Sequence, residues 1–175
     1  MLRSIILALL VTGAAAPAAA AQPGQPVVMQ SRGNPQIDYA GFRRLAGEVE
    51  PYRRTRLVDW AEFDRLRGQR GVLILDARSA DAFRRGHIRG AVNLPFTDFT
   101  AESLARVIGR NRDRPILIYC NNNFSNDRPP VISKAGPVAL NIPTFIHLVA
   151  YGYRNVRELN DVIDFNDPRV RWTRG

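Results

Sequence analysis

The chain has 175 residues, of which 45% are hydrophobic and 23% charged, so a fibrous or wholly disordered protein is excluded. Its net charge is +9, from 25 basic and 16 acidic side chains, and Lys134 is the only lysine. The excess charge is spread evenly and lacks an interleaved aromatic platform, so we expect small anionic ligands and no nucleic acid. The single cysteine, Cys120, excludes an internal disulfide and a multi-thiolate metal site, and we expect no cofactor.

Residues 1–21 have the pattern of a secretory signal peptide. Arg3 precedes an apolar run over 4–11, and small residues lead to an Ala-Ala-Ala cleavage triplet at 19–21. The run is too short to cross about 30 Å of hydrocarbon, which argues against a membrane anchor. We therefore predict a bacterial periplasmic protein without a membrane partner after cleavage, a flexible arm over 22–38 and one domain over 39–175.

Strands and helices are predicted to alternate along the domain. The predicted strands cover residues 56–58, 72–75, 91–94, 115–119 and 155–156. The predicted helices cover 60–67 after Asp59, 80–85 after Ser79, 101–109 after Thr100 and 142–151 after Asn141, each of these four residues being an expected N-cap. This alternation predicts an α/β fold with a mostly parallel sheet.

Cys120 directly follows the predicted strand 115–119, the second fully apolar strand of the domain. Ligands of parallel sheets bind outside the carboxyl ends of the strands. A thiol there, facing backbone N–H groups of the next turn, is expected to have a lowered pKa. The alternative is a buried cysteine that acts as a small apolar residue. The polar residues after Cys120 favour a functional thiol.

Residues 73–95, LILDARSADAFRRGHIRGAVNLP, strongly resemble the first half of a rhodanese domain. The second half agrees, because an apolar strand leads to Cys120 at the place of the family's catalytic cysteine. The resemblance covers about 59–164. It implies a three-layer α/β/α sandwich with a small, mostly parallel sheet. It also implies sulfurtransferase chemistry, in which Cys120 takes sulfur from a donor such as thiosulfate, holds it as a persulfide and passes it to a thiol or cyanide-like acceptor.

The loop after the cysteine is the expected donor site. Its N–H groups would form a nest, which asparagines in left-handed conformations permit. The expected substrate-binding residues are Asn121, Asn122, Asn123, Phe124, Ser125 and Arg128. Lys134 is a further cation that could bind the donor.

Asp76, Arg78 and His87 are expected to brace this loop, as the resemblance implies. Ala82 stands where the family usually has Glu, so the usual partner of Arg78 is missing and Asp81 is a possible substitute. We interpret His87 as a hydrogen-bonded structural residue and His147 as a packing residue.

The segment 126–140 departs from the family pattern, because it makes the connection after Cys120 longer than in a compact rhodanese. Its three prolines and one glycine predict a rigid irregular flap with a helical turn at 131–134. The flap either covers the site and selects the acceptor, contacts a protein partner, or blocks thiosulfate. Asn126 occupies the position at which the fold's phosphatase relatives have Arg, which disfavours a phosphatase.

Three functions remain open from the sequence. The first is an exported sulfurtransferase that uses Cys120. The second is a non-catalytic rhodanese-like module that binds a protein through the flap. The third is a thiol redox or sulfur-carrier protein.

Overall fold

A computed structural model describes residues 34–175. The predicted signal peptide and residues 22–33 of the predicted arm lie outside the described residues. Residues 38–175 form one compact unit. Within 34–175, no helix combines the length and the apolar character needed to cross a membrane.

The strands in chain order are β1 (Leu57–Val58), β2 (Leu73–Asp76), β3 (His87–Ile88), β4 (Ala91–Asn93), β5 (Ile116–Tyr119), β6 (Val156–Leu159) and β7 (Trp172–Thr173). Five of them form a parallel central sheet in the order β1-β6-β5-β2-β4. The two central strands, β2 and β5, are buried along their whole length, as expected of apolar strands covered on both faces. Strands β3 and β7 pair separately as an antiparallel ribbon.

Helices cover both faces of the sheet, which confirms the predicted α/β architecture. They are α1 (Tyr39–Arg54), α2 (Trp60–Arg67), α3 (Ala80–Arg85), α4 (Ala101–Val107) and α5 (Asn141–Ala150). Side chains alternate across each strand, so Leu75 packs with α1, α4 and α5, whereas Ile74 packs with α2 and the β3–β7 ribbon. Two apolar clusters therefore lie on opposite sides of one sheet.

Three of the four predicted N-caps are confirmed. The side chains of Asp59, Ser79 and Thr100 each accept a backbone N–H three residues later. Asn141 is not a cap, because it is the first residue of α5 and its amide side chain donates instead to Asn123 Oδ1 at 3.0 Å. This contact joins the start of α5 to the loop after Cys120.

The sequence analysis missed α1 and the β3–β7 ribbon. Helix α1 is capped by Asp38, whose side chain accepts from the N–H of Gly41. The ribbon pairs residues far apart in the chain, and each of its strands has only two residues, too few for a periodic pattern. The missed elements are thus the first helix of the domain and two strands of two residues each.

Candidate functional site

Cys120 lies at the carboxyl end of the central strand β5, between the ends of β6 and β2. It is the N-cap of a short 3₁₀ helix, Asn121–Asn123, that turns the chain out of the sheet. Only 1% of the residue is exposed. The thiol thus has the predicted place in the fold and is covered.

Backbone N–H groups from two elements surround the Cys120 sulfur. Asn122 and Asn123 supply N–H groups from the 3₁₀ helix, and Leu140 and Asn141 supply them from the start of α5. None of the three asparagines after Cys120 has a positive φ, so the expected left-handed nest is wrong. The N–H groups converge because the tight turn after Cys120 meets the start of α5. The contribution of α5 was not predicted from the sequence.

Burial raises the pKa of the Cys120 thiol above its ordinary value. The N–H groups of Asn141, Asn122 and Leu140 favour the thiolate and oppose that shift, whereas the buried carboxylate of Glu158 adds to it. Glu158 is held by Arg53, whose Nε donates to its carboxylate at 2.6 Å. The expected net lowering of the pKa is therefore wrong for this covered arrangement, although the N–H groups that would lower it are present.

Asn123 supports the loop from inside the protein. Its Oδ1 accepts from the Cys120 N–H at 2.9 Å, and its Nδ2 donates to the carbonyls of Leu159 at 2.8 Å and Asp161 at 3.0 Å. With its amide satisfied and 5% of the residue exposed, Asn123 positions Cys120 and does not bind substrate through its side chain. The backbone N–H of Asn123 faces the Cys120 sulfur, so the predicted contact with substrate stays a prediction for the backbone of this residue.

Phe124 is also a packing residue. Its ring is buried in the core and meets Tyr119 edge-on at 5.9 Å and Trp172 at 5.0 Å. Its side chain therefore has no access to a substrate, and the prediction that Phe124 binds the substrate is wrong for this side chain. The next residue, Ser125, is exposed and its N–H donates to the carbonyl of Ile163 at 2.9 Å.

Asn121 and Asn122 connect the cysteine loop to the segment 126–140, which we call the flap. Asn121 Nδ2 donates to the carbonyl of Ile132 at 2.8 Å. Asn122 forms two bonds with the backbone of Lys134, donating to its carbonyl at 2.6 Å and accepting from its N–H at 3.1 Å. We call these three hydrogen bonds the latch. Asn121 Nδ2 and both polar atoms of the Asn122 amide are therefore engaged with the flap while the latch is closed, whereas Asn121 Oδ1 is buried without a hydrogen-bond partner among the described residues.

The flap is fixed at further points along its length. Val131 is fully buried in the core between the sheet and the β3–β7 ribbon. The N–H of Ser133 donates to Asp127 Oδ1 at 2.8 Å. Residues 131–135 are irregular, so the predicted helical turn at 131–134 is wrong, and a 3₁₀ turn occurs instead at Gly136–Val138. The latch and the Val131 anchor account for the missing turn, since they bind this segment to its neighbours at separate points.

Arg128 does not point to the thiol. Its guanidinium lies 5.4 Å from the centre of the Phe165 ring and lines a cavity to which Cys120 does not contribute. The prediction that Arg128 binds the donor at Cys120 is therefore corrected. Lys134 is exposed and joins the site through its backbone, in the latch.

Asp76 and Arg78 form a buried ion pair beside the flap. Arg78 Nε donates to Asp76 Oδ1 at 2.9 Å, and its Nη2 donates to the carbonyl of Gly86 at 2.8 Å. Its Nη1 donates to the carbonyl of Pro130 in the flap at 3.4 Å, a long bond. Asp76 thus replaces the missing glutamate, whereas the suggested substitute, Asp81, pairs with Arg85 on the surface.

Tyr119 completes this network, and the sequence analysis did not identify it. Its hydroxyl donates to Asp76 Oδ2 at 2.5 Å and accepts from the N–H of Ile88 at 3.2 Å. Burial, followed by the charge of Asp76, raises the pKa of Tyr119 well above its ordinary value. Its place directly before Cys120 was the available signal, because a tyrosine ending a buried strand needs a hydrogen-bond partner.

The two histidines are structural, as predicted, but His87 braces a different part of the protein. His87 Nδ1 is 2.8 Å from the carbonyl of Phe83, and its ring stacks on that residue at 3.7 Å. This contact joins α3 to the β3–β7 ribbon and not to the cysteine loop. His147 packs against Phe96 at 4.7 Å, and partial burial lowers its pKa.

Residues 59–161 match the family model of the rhodanese-like domain. The chain belongs to the rhodanese-like family. The match includes the Asp76–Arg78 pair, Cys120 and the flap.

Curated relatives match parts of the chain. The uncharacterized protein YibN of Escherichia coli K12 is 25% identical over 96 residues, which are 54% of this chain and 62% of YibN. The thiosulfate sulfurtransferase GlpE of Shewanella oneidensis is 38% identical over 58 residues, 33% of this chain and 52% of GlpE. The chain therefore spans less than two thirds of either relative.

Two solved structures are similar at low sequence identity. The BH2092 protein of Bacillus halodurans is 20% identical, with a TM-score of 0.43 over 72% of this chain and 75% of its own. The Alr3790 protein of Anabaena is 22% identical, with a TM-score of 0.41 over 58% of this chain and 68% of its own.

Proposed function

We propose that this protein is a sulfurtransferase in which Cys120 carries sulfur as a persulfide from a donor such as thiosulfate to a thiophilic acceptor. The observation that carries the proposal is the convergence of N–H groups from two elements on the sulfur of the only cysteine. The match to the rhodanese-like family and to GlpE, a thiosulfate sulfurtransferase, supports the same chemistry.

The proposed reaction has two displacement steps at one sulfur atom. The Cys120 thiolate attacks the outer sulfur of thiosulfate, a bond from Sγ to that sulfur forms, and sulfite leaves with the electron pair of the broken sulfur–sulfur bond. An acceptor such as cyanide then attacks the outer sulfur, and Sγ leaves as the thiolate. The N–H groups of Asn122, Leu140 and Asn141 stabilise negative charge on the sulfur in both steps.

Flap opening is a requirement of this mechanism, because Cys120 is covered and its pKa is raised by burial. Release of the latch would expose the sulfur and remove part of the burial that disfavours the thiolate. The N–H groups of Asn122, Asn123 and Asn141 belong to elements outside the flap, and Leu140, the last residue of the flap, adjoins the start of α5. Opening thus lowers the thiol pKa and admits the donor together.

The proposal is tested by steady-state thiosulfate–cyanide turnover. Wild-type protein should form thiocyanate, and Cys120→Ala should form none above the uncatalysed rate. Arg43→Gln, which changes an exposed arginine on α1, is the matched surface control and should keep wild-type turnover. Turnover that survives Cys120→Ala would rule out the persulfide.

A non-catalytic binding module is the second candidate, and the burial of Cys120 favours it. The flap also presents two exposed apolar side chains, Ile132 and Val138, which are 55% and 62% exposed. In this case the flap would contact a protein partner and the thiol would stay covered. A Cys120 thiol that resists alkylation under every native condition, with no turnover on any donor, would favour the module.

The third candidate, a thiol redox or sulfur-carrier protein, would form the persulfide without turning over thiosulfate and cyanide.

We also propose that the protein acts after export to the periplasm, as the pattern of residues 1–21 suggests. N-terminal sequencing of the protein from the producing cells should begin at Gln22.

A further inference from the structure

A cavity of about 430 Å³ lies where three segments of the chain meet. The flap residues that line it precede the Val131 anchor in the sequence, whereas the flap residues of the latch follow that anchor. The end of α3 contributes Arg85, the start of the flap contributes Arg128, and the chain end contributes Arg174. The remaining lining residues are Pro129, Pro130, Phe165, Asn166 and Trp172. The lining therefore carries three arginines and no acidic side chain.

The guanidinium of Arg128 is held by an aromatic stack. It lies over the ring of Phe165 at 5.4 Å, and Phe165 stacks on Trp172 at 5.2 Å with an angle of 18° between the rings. Stacking on its face leaves the N–H groups at the edge of a guanidinium free to bind an anion. The arginine is thus positioned by contacts that do not use its hydrogen-bond donors.

Nearby carboxylates neutralise this charge only in part. Among residues 34–175, neither Arg128 nor Arg174 has a carboxylate within 4.0 Å of its guanidinium nitrogens. Arg85 pairs with Asp81 at 2.8 Å, but both side chains are more than half exposed, so the pair is weak. Asp164, which feels the charge of Arg128, is itself bound by the side chain of Asn126 at 2.7 Å.

We propose that this cavity is an oxyanion site, separate from Cys120, that takes a small sulfate- or phosphate-like dianion. Planar guanidinium groups match the oxygen pairs of such anions, and three positive charges favour a dianion over chloride. The proposal does not depend on the sulfurtransferase activity, because Cys120 does not line the cavity.

The test is a titration of isotope-labelled protein with sodium sulfate and with sodium phosphate, followed by NMR at ionic strength held constant with sodium chloride. The backbone N–H signals of Arg128, Val131 and Trp172 should move and reach saturation. Arg128→Gln and Arg174→Gln should each weaken binding at least about tenfold, since each removes a charged hydrogen-bond donor. Arg43→Gln, an equal change of charge on α1, should leave the affinity within about twofold.

Cys120→Ala separates this proposal from the proposed function. It should abolish turnover and leave sulfate and phosphate binding intact. The oxyanion site is disproved by shifts that never saturate, by binding that survives both Arg128→Gln and Arg174→Gln, or by an equal loss in Arg43→Gln. Loss of binding in Cys120→Ala would place the anion at the thiol and would equally overturn it.

Discussion

Asn122→Ala should make Cys120 more reactive by loosening the flap. The substitution removes both hydrogen bonds between the Asn122 side chain and the backbone of Lys134. It leaves the backbone N–H of Asn122, which faces the sulfur, in place. The change therefore acts on the cover over the thiol and spares the groups that stabilise the thiolate.

The size of the effect follows from the two bonds that are lost. A hydrogen bond contributes about 0.5–1.5 kcal/mol to stability, so the closed flap loses about 1–3 kcal/mol relative to the open one. Each 1.4 kcal/mol is a factor of ten in the equilibrium, so the open population should rise by about 5- to 150-fold. If reaction occurs only from the open form, the rate of native-state alkylation of Cys120 by iodoacetamide rises by the same factor.

Asn126→Ala is the matched control for this measurement. Asn126 also lies in the flap and forms two side-chain hydrogen bonds, to Asp164 and to the N–H of Phe165, but it does not contact the latch. Its alkylation rate should stay within about twofold of wild type. An unchanged rate in Asn122→Ala would refute the latch, and an equal rise in both variants would show general loosening of the flap instead.

Three further predictions concern stability, each measured by urea unfolding. Arg78→Met leaves a buried carboxylate without its partner and should cost about 3–5 kcal/mol. Because burial raises the pKa of Cys120, the folded protein keeps a proton that the unfolded chain releases, so stability should fall as the pH rises above about 8.5, and Cys120→Ala should lack this fall. Gly86→Ala would place a Cβ 2.2 Å from Trp172 Nε1 and should cost about 1–3 kcal/mol, whereas Gly47→Ala meets no atom within 4 Å on exposed α1 and should stabilise by about 0.5–1 kcal/mol. Arg78→Met at wild-type stability would contradict the role of the buried ion pair, and identical pH profiles for wild type and Cys120→Ala would contradict the raised thiol pKa. Equal stability of the two alanine variants would contradict the packing argument at Gly86.

The strands of the central sheet could be predicted from the sequence because each strand is marked by a short run of neighbouring residues. The runs that became β2 and β5 are continuous and apolar, and polar or glycine residues bound them. Asp59, Ser79 and Thr100 are residues that cap helices wherever they precede a helical pattern. Cys120 could be placed at the carboxyl end of β5 for the same reason.

The chemistry around the cysteine depended on contacts between distant residues. The sequence predicted that backbone amide groups would lower the pKa of the Cys120 thiol. Burial has the larger effect, so the pKa is raised instead. Asn121 and Asn122 bind backbone groups eleven and twelve residues away, a pairing that no periodicity indicates. Polar composition therefore identified the loop without showing whether its side chains bind a ligand, the core or the flap.

The most direct test of the account is intact-protein mass spectrometry after incubation with thiosulfate. We predict a mass gain of one sulfur atom located on Cys120, which disappears when cyanide is added, and no gain in Cys120→Ala. Asn122→Ala should reach the same mass sooner. Wild-type protein that stays unmodified by thiosulfate, although iodoacetamide alkylates Cys120, would contradict the persulfide mechanism.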